Sequence, residues 1–392
     1  MKYLFLALVF FLPTQLGLHF WPNWAFINGV RIDYFAPTIY LTDLLAAAIV
    51  MLNLFQHLRT RSRNKFGMTL WVTVLFALIN IYFSISPELS IYKWLKVLEF
   101  VWLGLWIKNN FQKSWGEAFV KVLSATIFFQ SFLAFGQIIT QRSIGGIFYW
   151  FGERTFSVAT PGIAQAVISG QLFLRPYGTF SHPNVLAAFL LLSIVIIYRL
   201  RKNISYKLLV VVYIVASATI ILTVSRLPVI SLCLFLVWKL GGKKSFFVGL
   251  VFVLFFAKDF LLDQSFLIRQ SLVSATLEII KNNLIIGTGL GTNILALQNY
   301  SKDLFFNSQP LAFLQPVHNI FLLIFSEIGV FSLVIPAYAG IYLMRSRNKF
   351  GMTFLIFIIM FLGLFDHYFV TVQQGQLLLT LVLGIIFWWR NY

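Results

Sequence analysis

Long apolar runs separated by short, mostly basic connections leave few folds open to this chain. Hydrophobic residues make up 59% of it and charged residues only 11%, against about 25% charged in a soluble domain. A helix that crosses a bilayer needs about 20 predominantly apolar residues, within a range of about 17 to 25. Segments that meet or approach this requirement lie at roughly residues 3–20, 39–56, 67–85, 91–108, 118–139, 184–200, 207–224, 226–240, 245–258, 318–344, 351–369 and 375–390. The eighth and ninth are the shortest. The pattern predicts an all-α, polytopic integral membrane protein of about 12 transmembrane helices, with residues 1–392 as a single membrane domain. In the first run one lysine precedes the apolar stretch. No small-x-small cleavage site follows, and Pro13 and Gln15 come after the run, so an uncleaved first helix is expected.

The formal net charge is +18, and its distribution matters more than its size. With the N-terminus inside, one set of connections holds Arg59, Arg61, Arg63, Lys65, Lys108, Lys113, Arg199, Arg201, Lys202, Lys207, Lys239, Lys243, Lys244, Arg345, Arg347 and Lys349. Lys2 and Arg390 fall on the same side, and Glu117 is the one carboxylate among them. This is the positive-inside pattern. It predicts cytoplasmic termini and an affinity for anionic lipid. A nucleic-acid site would need a soluble basic domain, and the sequence offers none. The single cysteine, Cys233, lies inside an apolar run and reads as a small core residue.

Two outer loops are long, residues 141–183 and 258–317, the second just before the tenth helix. The second contains Gln270 to Lys281, with apolar residues at helical spacing (Leu272, Ala275, Leu277, Ile280). It is too polar to span, so it should lie on the outer face or roof a cavity. Gly287-Thr-Gly-Leu-Gly-Thr292 then reads as a flexible turn. Arg61 to Thr69 recurs as Arg345 to Thr353, each copy in an inner loop before a spanning helix. The similarity stops at both edges, so it marks equivalent basic turns rather than a fold repeat.

Polar groups that are costly at membrane depth are the natural place to look for function. Arg175-Pro-Tyr-Gly-Thr-Phe-Ser-His-Pro-Asn184 is turn-rich and ends where an apolar run begins. Pro176, Gly178 and Pro183 forbid a regular helix before it, and Asn184 suits an N-cap. The segment holds Arg175, Tyr177, a hydroxyl and His182 at a helix mouth. Arg226 sits in Thr223-Val-Ser-Arg-Leu-Pro228 with almost no loop around it. There it should face a cavity and hold an anion, the alternative being an arginine that snorkels to the interface. His318, in Gln315-Pro-Val-His-Asn319, stands at an outer helix start favoured by Pro316 and Asn319. A neutral imidazole there can take a proton from a hydroxyl, or can simply bond a loop carbonyl. Glu327, nine residues on within the apolar segment, needs a partner. His182 and the pair Asp366-His367 compete with His318 for the chemical role. Asp43, Lys96 and Glu99 near helix ends read as a structural ion pair.

Several chemistries lack their residues. The glycine run 287–291 has no following lysine, so it is not a P-loop. No Asp-x-Asp pair is present to hold a metal against a nucleotide-sugar. No His/Cys cluster has metal-ligand spacing along the chain, and no Gly-x-Ser-x-Gly elbow occurs.

Taken in order, Arg175 to Asn184, Thr223-Val-Ser-Arg226, Gly287-Thr-Gly-Leu-Gly291, Val317-His-Asn-Ile-Phe321 and Glu327-Ile-Gly329 resemble the O-antigen ligase and O-antigen polymerase superfamily. The resemblance covers roughly residues 120–345, and the overall helix pattern agrees with it. It implies a GT-C-like membrane glycosyltransferase on the outer face of the bacterial inner membrane. Such an enzyme moves a glycan from a polyprenyl diphosphate (in bacteria, undecaprenyl diphosphate) to an acceptor hydroxyl on a glycan, lipid or protein, in cell-surface polysaccharide synthesis. It further implies inversion at the anomeric carbon, with no metal and no cofactor. The residues suit that chemistry. Arg175 and Arg226 offer planar, permanently charged forks for a departing diphosphate. His318 would take the acceptor proton. His182, Tyr177, Asn184, Asn319 and Glu327 would support them. The alternatives are a polymerase of the same superfamily, a lipid-linked glycan flippase or transporter, and a non-catalytic scaffold. A transporter would place charge along a central path, whereas here the polar groups gather at outer helix mouths.

Overall fold

The computed structural model describes residues 1–57, 67–168, 170–239, 241, 264–300, 314–334 and 349–389. It is mostly helical. The helices are α1 (Lys2–Phe11), α2 (Leu41–His57), α3 (Gly67–Tyr82), α4 (Pro87–Asn110), α5 (Gly116–Thr140), α6 (Pro183–Leu200) and α7 (Tyr206–Leu222). They continue with α8 (226–239), α9 (Gln264–Asn282), α10 (Asn293–Tyr300), α11 (Ile320–Ile328), α12 (Lys349–Gly363), α13 (Tyr368–Thr371) and α14 (Gln373–Trp389). Among the described residues, two helices, Lys113–Thr140 and Pro183–Leu200, have the length and apolarity to cross a bilayer. Shorter apolar helices of 10–17 residues account for most of the other predicted runs. The ninth run, residues 335–344 of the tenth, and residues 61–66 and 345–348 of the two copies of the repeated segment lie outside the described residues.

The centre of the body is α6. It is buried on every side from Val185 to Ile197, as expected of a helix that is apolar all round. It packs on α5, α7, α12 and α14, and α14 in turn lies along α4. Such close packing draws on the many small van der Waals contacts between fitted helix faces. Lys96, buried on α4, bonds both Asp43 (2.7 Å) and Glu99 (2.8 Å), the structural ion cluster expected there.

Three predicted segments and one residue differ. The first run splits: α1 ends at Phe11, and Gly17–His19 forms strand β1. Pro13 supplies no N–H to continue the helix, and the next residues find ladder partners. β1 pairs antiparallel with β4 (Thr38–Tyr40), and between them β2 (Phe26–Ile27) pairs with β3 (Val30–Arg31). The turn residues Asn28 and Gly29 both have positive φ, 48° and 80°, the Asn-Gly hairpin signature. In the described part of the tenth segment, α11 gives way at Gly329, φ 62°, to a 3-10 turn over Gly329–Leu333. The eleventh ends at Gly363, and residues 364–367 form a break before α13. Cys233 is exposed on α8, on the face turned away from the core, and not a core residue.

The first outer loop is also built. It carries a 3-10 turn (Gly146–Phe151) and a hairpin of β5 (Gln165–Ile168) and β6 (Gln171–Leu174). In the second, α9 extends the expected amphipathic helix to Gln264–Asn282 and packs on α10 and α11.

The glycine run 287–291 is not a flexible turn. Thr288 N–H donates to Ser326 O, and Gly289 N–H to Glu327 O, each at 3.0 Å. A Cβ at Gly287 would stand 2.3 Å from the Glu327 carbonyl carbon, with φ already at +77°. Gly287→Ala should therefore lower the unfolding temperature clearly more than Gly162→Ala. Gly162 has a similar φ of +75° with nothing within 4 Å, so it reports the conformational cost alone, about 1 kcal/mol or more. Equal shifts for the two variants in thermal unfolding would show that the close approach is unimportant.

Candidate active site

The Arg175–Asn184 segment is set by α5. Two glutamines on one face of that apolar helix hydrogen-bond the loop backbone. Gln137 Oε1 accepts from Tyr177 N and Gly178 N, both at 2.8 Å, while its Nε2 donates to Gly178 O and to Glu153. Gln130 Oε1 accepts from Thr179 N at 2.9 Å. Gly178, at φ +56°, lies so close that a Cβ would stand 2.4 Å from Gln130 Oε1. The loop is thus held from below by side chains that an apolar-run reading passes over.

From that support Arg175 reaches across to the break between α7 and α8. Its Nε donates to Thr223 O (2.7 Å), and its Nη2 to Asn184 Oδ1 (2.8 Å) and Ser225 Oγ (3.0 Å). These contacts leave Nη1 for a ligand among the described residues. Val224, in the middle of the break, has φ +51°. That is a strained conformation for a β-branched residue, and it turns the Thr223 carbonyl towards the guanidinium. Burial pulls the Arg175 pKa down from its ordinary value, and the charge on Arg226 adds to the effect. Arg226 opens α8 immediately after Ser225 and is exposed, not enclosed in a cavity as expected.

Asn184 does not cap α6. Pro183 occupies the first helical position and His182 is the N-cap, its Nδ1 accepting from Asn184 N at 3.1 Å. The Asn184 side chain is engaged elsewhere. Its Oδ1 accepts from Arg175 and from Ser225 Oγ (3.0 Å), and its Nδ2 donates to Asp366 Oδ2 (2.9 Å). One amide therefore joins the arginine to the break after α12.

That break completes the cluster. Asp366 Oδ1 accepts from His367 N (2.8 Å), and the rings of His367 and His318 lie 4.9 Å apart between centroids. His318 enters from the turn before α11, which Asn319 caps by accepting from Phe321 N and Leu322 N. Asn319 Nδ2 ties the same turn to Leu364 O at 3.1 Å. The His318 Nδ1 is buried and has no hydrogen-bond partner among the described residues. His182 lies near enough to Asp366, His367 and Arg175 for their charges to interact with it.

Two sequence candidates take other places. Glu327 is buried with the glycine run, where its carboxylate accepts from Asn293 N (3.3 Å) and Gly291 N beside Lys93. Tyr177 is packed with Phe156 and Leu174, and its hydroxyl accepts from Ala164 N at 2.7 Å. One cation was missed. Arg269, on α9, donates to Phe365 O at 3.4 Å and lies within electrostatic reach of His182, His318 and Arg175. Only the folding of α9 over α11 brings it there, so no local motif announces it.

Burial holds the His182 pKa down, to about 4 from its ordinary 6.5, with Asp366 opposing and Arg175 reinforcing. The unfolded chain then takes up the proton first, so stability present above pH 6.5 is lost as pH falls towards 4. The limiting slope for one proton is about 1.4 kcal/mol per pH unit. His182→Asn keeps an N-cap acceptor that does not titrate. Its unfolding midpoint should fall less steeply across this range than that of the parent protein. An unchanged slope would show that the capping imidazole is not held neutral.

The fold and site define a helical protein with a half-buried cluster of histidines and a carboxylate, with arginines beside it, at the mouths of its helices. Residues 171–337 match the family model described as O-antigen ligase. The match begins at β6, just before Arg175, and runs past α11, so it includes Arg175, Asn184, Arg226, Arg269 and His318. It supports placing the chain in the O-antigen ligase and polymerase superfamily. No curated protein matches the chain significantly.

Proposed function

We propose that the protein is a multi-pass membrane glycosyltransferase of the ligase type, acting on the outer face of the bacterial inner membrane. The donor is a glycan on a polyprenyl diphosphate, and the acceptor is a hydroxyl of another glycan, a lipid or a protein. The observation that carries this reading is the continuous bonded path Arg175–Asn184–Asp366, which ends beside His318, whose Nδ1 has no partner among the described residues. A group that binds an anion and a group that accepts a proton are thereby held in one rigid frame, as displacement of a diphosphate by a hydroxyl requires.

In this mechanism His318 removes the acceptor proton as the hydroxyl oxygen attacks the anomeric carbon. The new C–O bond forms while the bond to the diphosphate oxygen breaks, inverting the centre. The diphosphate leaves with the bonding electrons, stabilised by Arg226, by Nη1 of Arg175 and by Arg269. Asp366 balances the imidazolium that forms. No step needs a metal or a cofactor. The short apolar helices cross the bilayer together with their neighbours, and the lipid tail of the donor lies between them. Purified protein should transfer glycan from the lipid-linked donor to an acceptor and release the polyprenyl diphosphate. Movement of intact donor across a vesicle membrane without transfer would favour a transporter.

The membrane arrangement has its own test. Reporter fusions at Ser62 and at Asn307 should lie on opposite sides of the membrane, with Ser62 cytoplasmic. The motive is the clustering of lysine and arginine on alternate connections. If both fusions report the same side, the arrangement of about 12 spans is wrong.

A further inference from the structure

We propose that His318, Asp366 and His367 form a binding site for a divalent transition-metal ion of the zinc type, and that filling this site shuts off transfer. The second half of the statement rests on the reading of His318 as the base; the first half does not. One potential ligand atom from each residue lies within 4.8 Å of the other two. Tetrahedral zinc with bonds of about 2.0–2.1 Å sets its ligands about 3.4 Å apart. The three groups therefore need to close by little more than 1 Å at most, within the reach of small side-chain rotations.

The surroundings have already selected the lone pairs. Thr371 Oγ1 donates to His367 O (3.1 Å) and also lies 2.7 Å from His367 Nδ1. With its own hydrogen committed, Thr371 accepts from Nδ1–H, which leaves the lone pair of His367 on Nε2. A ring fixed through its second nitrogen is the usual outer support of a metal-binding histidine. The Asp366 carboxylate is aimed by Asn184 Nδ2 and by His367 N. The third ligand, His318, brings a buried Nδ1 that has no partner among the described residues. Three of the five histidines in the chain, His182, His318 and His367, gather at this place.

Two imidazoles and one carboxylate suit zinc and its first-row neighbours. Magnesium and calcium prefer oxygen ligands throughout. Once His318 is bound to an ion, its lone pair cannot accept the acceptor proton. Zinc should therefore act as a reversible inhibitor whose effect is removed by chelation.

The test uses full-length protein in detergent, with its purification tag removed. Zinc is titrated calorimetrically, and cobalt is titrated as a spectroscopic probe. One equivalent should bind and give the visible cobalt spectrum of a nitrogen- and oxygen-ligated site, with magnesium unable to compete. His367→Ala and Asp366→Asn should each weaken binding at least tenfold. Cys233→Ser should bind as the parent does, and unfolding temperatures show that each variant is folded. Zinc should stop transfer, and EDTA should restore it. Absence of one-equivalent binding, or binding unaffected by His367→Ala, would overturn the site whether or not the protein transfers glycan. Transfer that requires added zinc would overturn the inhibitory role and the metal-free mechanism together. Failure of transfer with zinc binding intact would count against the proposed reaction and leave the site standing.

Discussion

His318→Ala should lower glycan transfer by about 10²- to 10⁴-fold, the usual contribution of a positioned general base, and leave binding of the lipid-linked donor nearly unchanged. The arginines that would hold the diphosphate belong to the β6–α6 loop, to α8 and to α9, none of which the His318 side chain supports. Its removal should therefore appear in kcat and not in donor affinity. His182→Asn should cost much less, because the His182 Nδ1 is already committed to capping α6. The readouts are turnover and donor binding measured on the same preparations. A parallel loss of both would make His318 a structural residue. Near-normal transfer would move the role of base to His367, whose ring lies 4.9 Å from that of His318.

Arg175→Lys should have an effect of similar size on transfer, and should also destabilise the protein. The guanidinium makes three bonds from two of its nitrogens, to Thr223 O, Asn184 Oδ1 and Ser225 Oγ. An ammonium cannot reproduce that fork. Bonds involving a charged group are worth about 1.5–3 kcal/mol each. Keeping one and losing two therefore removes several kcal/mol of support from the strained break at Val224. Transfer should drop at least about 100-fold, a loss of about 2.7 kcal/mol in transition-state stabilisation, with a lower unfolding temperature. Arg226→Lys differs, because Arg226 is exposed: it should impair transfer with little change in stability. The double variant should lose less than the sum of the two, since both hold one diphosphate. Strictly additive losses would contradict the shared clamp, and an unaltered unfolding temperature in Arg175→Lys would contradict the structural role of its three hydrogen bonds.

Much of the frame is legible in the sequence, because an apolar run is a local signal. α4, α5, α6, α7, α8 and α14 fall within a few residues of where hydropathy and prolines put them. The loop at Arg175–Asn184 stands out for the same reason, through its prolines and glycine. What is hidden is hidden by distance. Gln130 and Gln137 look like isolated polar residues in a span, yet they hold the backbone 40–49 residues away. Asn184 has the composition of a cap, but the cap falls to His182 and the amide links Arg175 to a carboxylate 182 residues on. The histidines read as competitors because each stands in its own segment of the sequence, whereas the fold brings His318 and His367 ring to ring. The short hairpin at Asn28-Gly29 was within reach of turn chemistry, and was masked by the apolar residues around it.

The most direct measurement of the central claim is transfer by the purified parent protein, reconstituted with a labelled polyprenyl-diphosphate glycan, an acceptor and excess chelator. The account predicts that label passes to the acceptor, that the anomeric configuration inverts, and that His318→Ala binds the donor without transferring it. Label that stays on the lipid carrier in the parent protein, or transfer that vanishes in chelator and returns with a divalent cation, would contradict it.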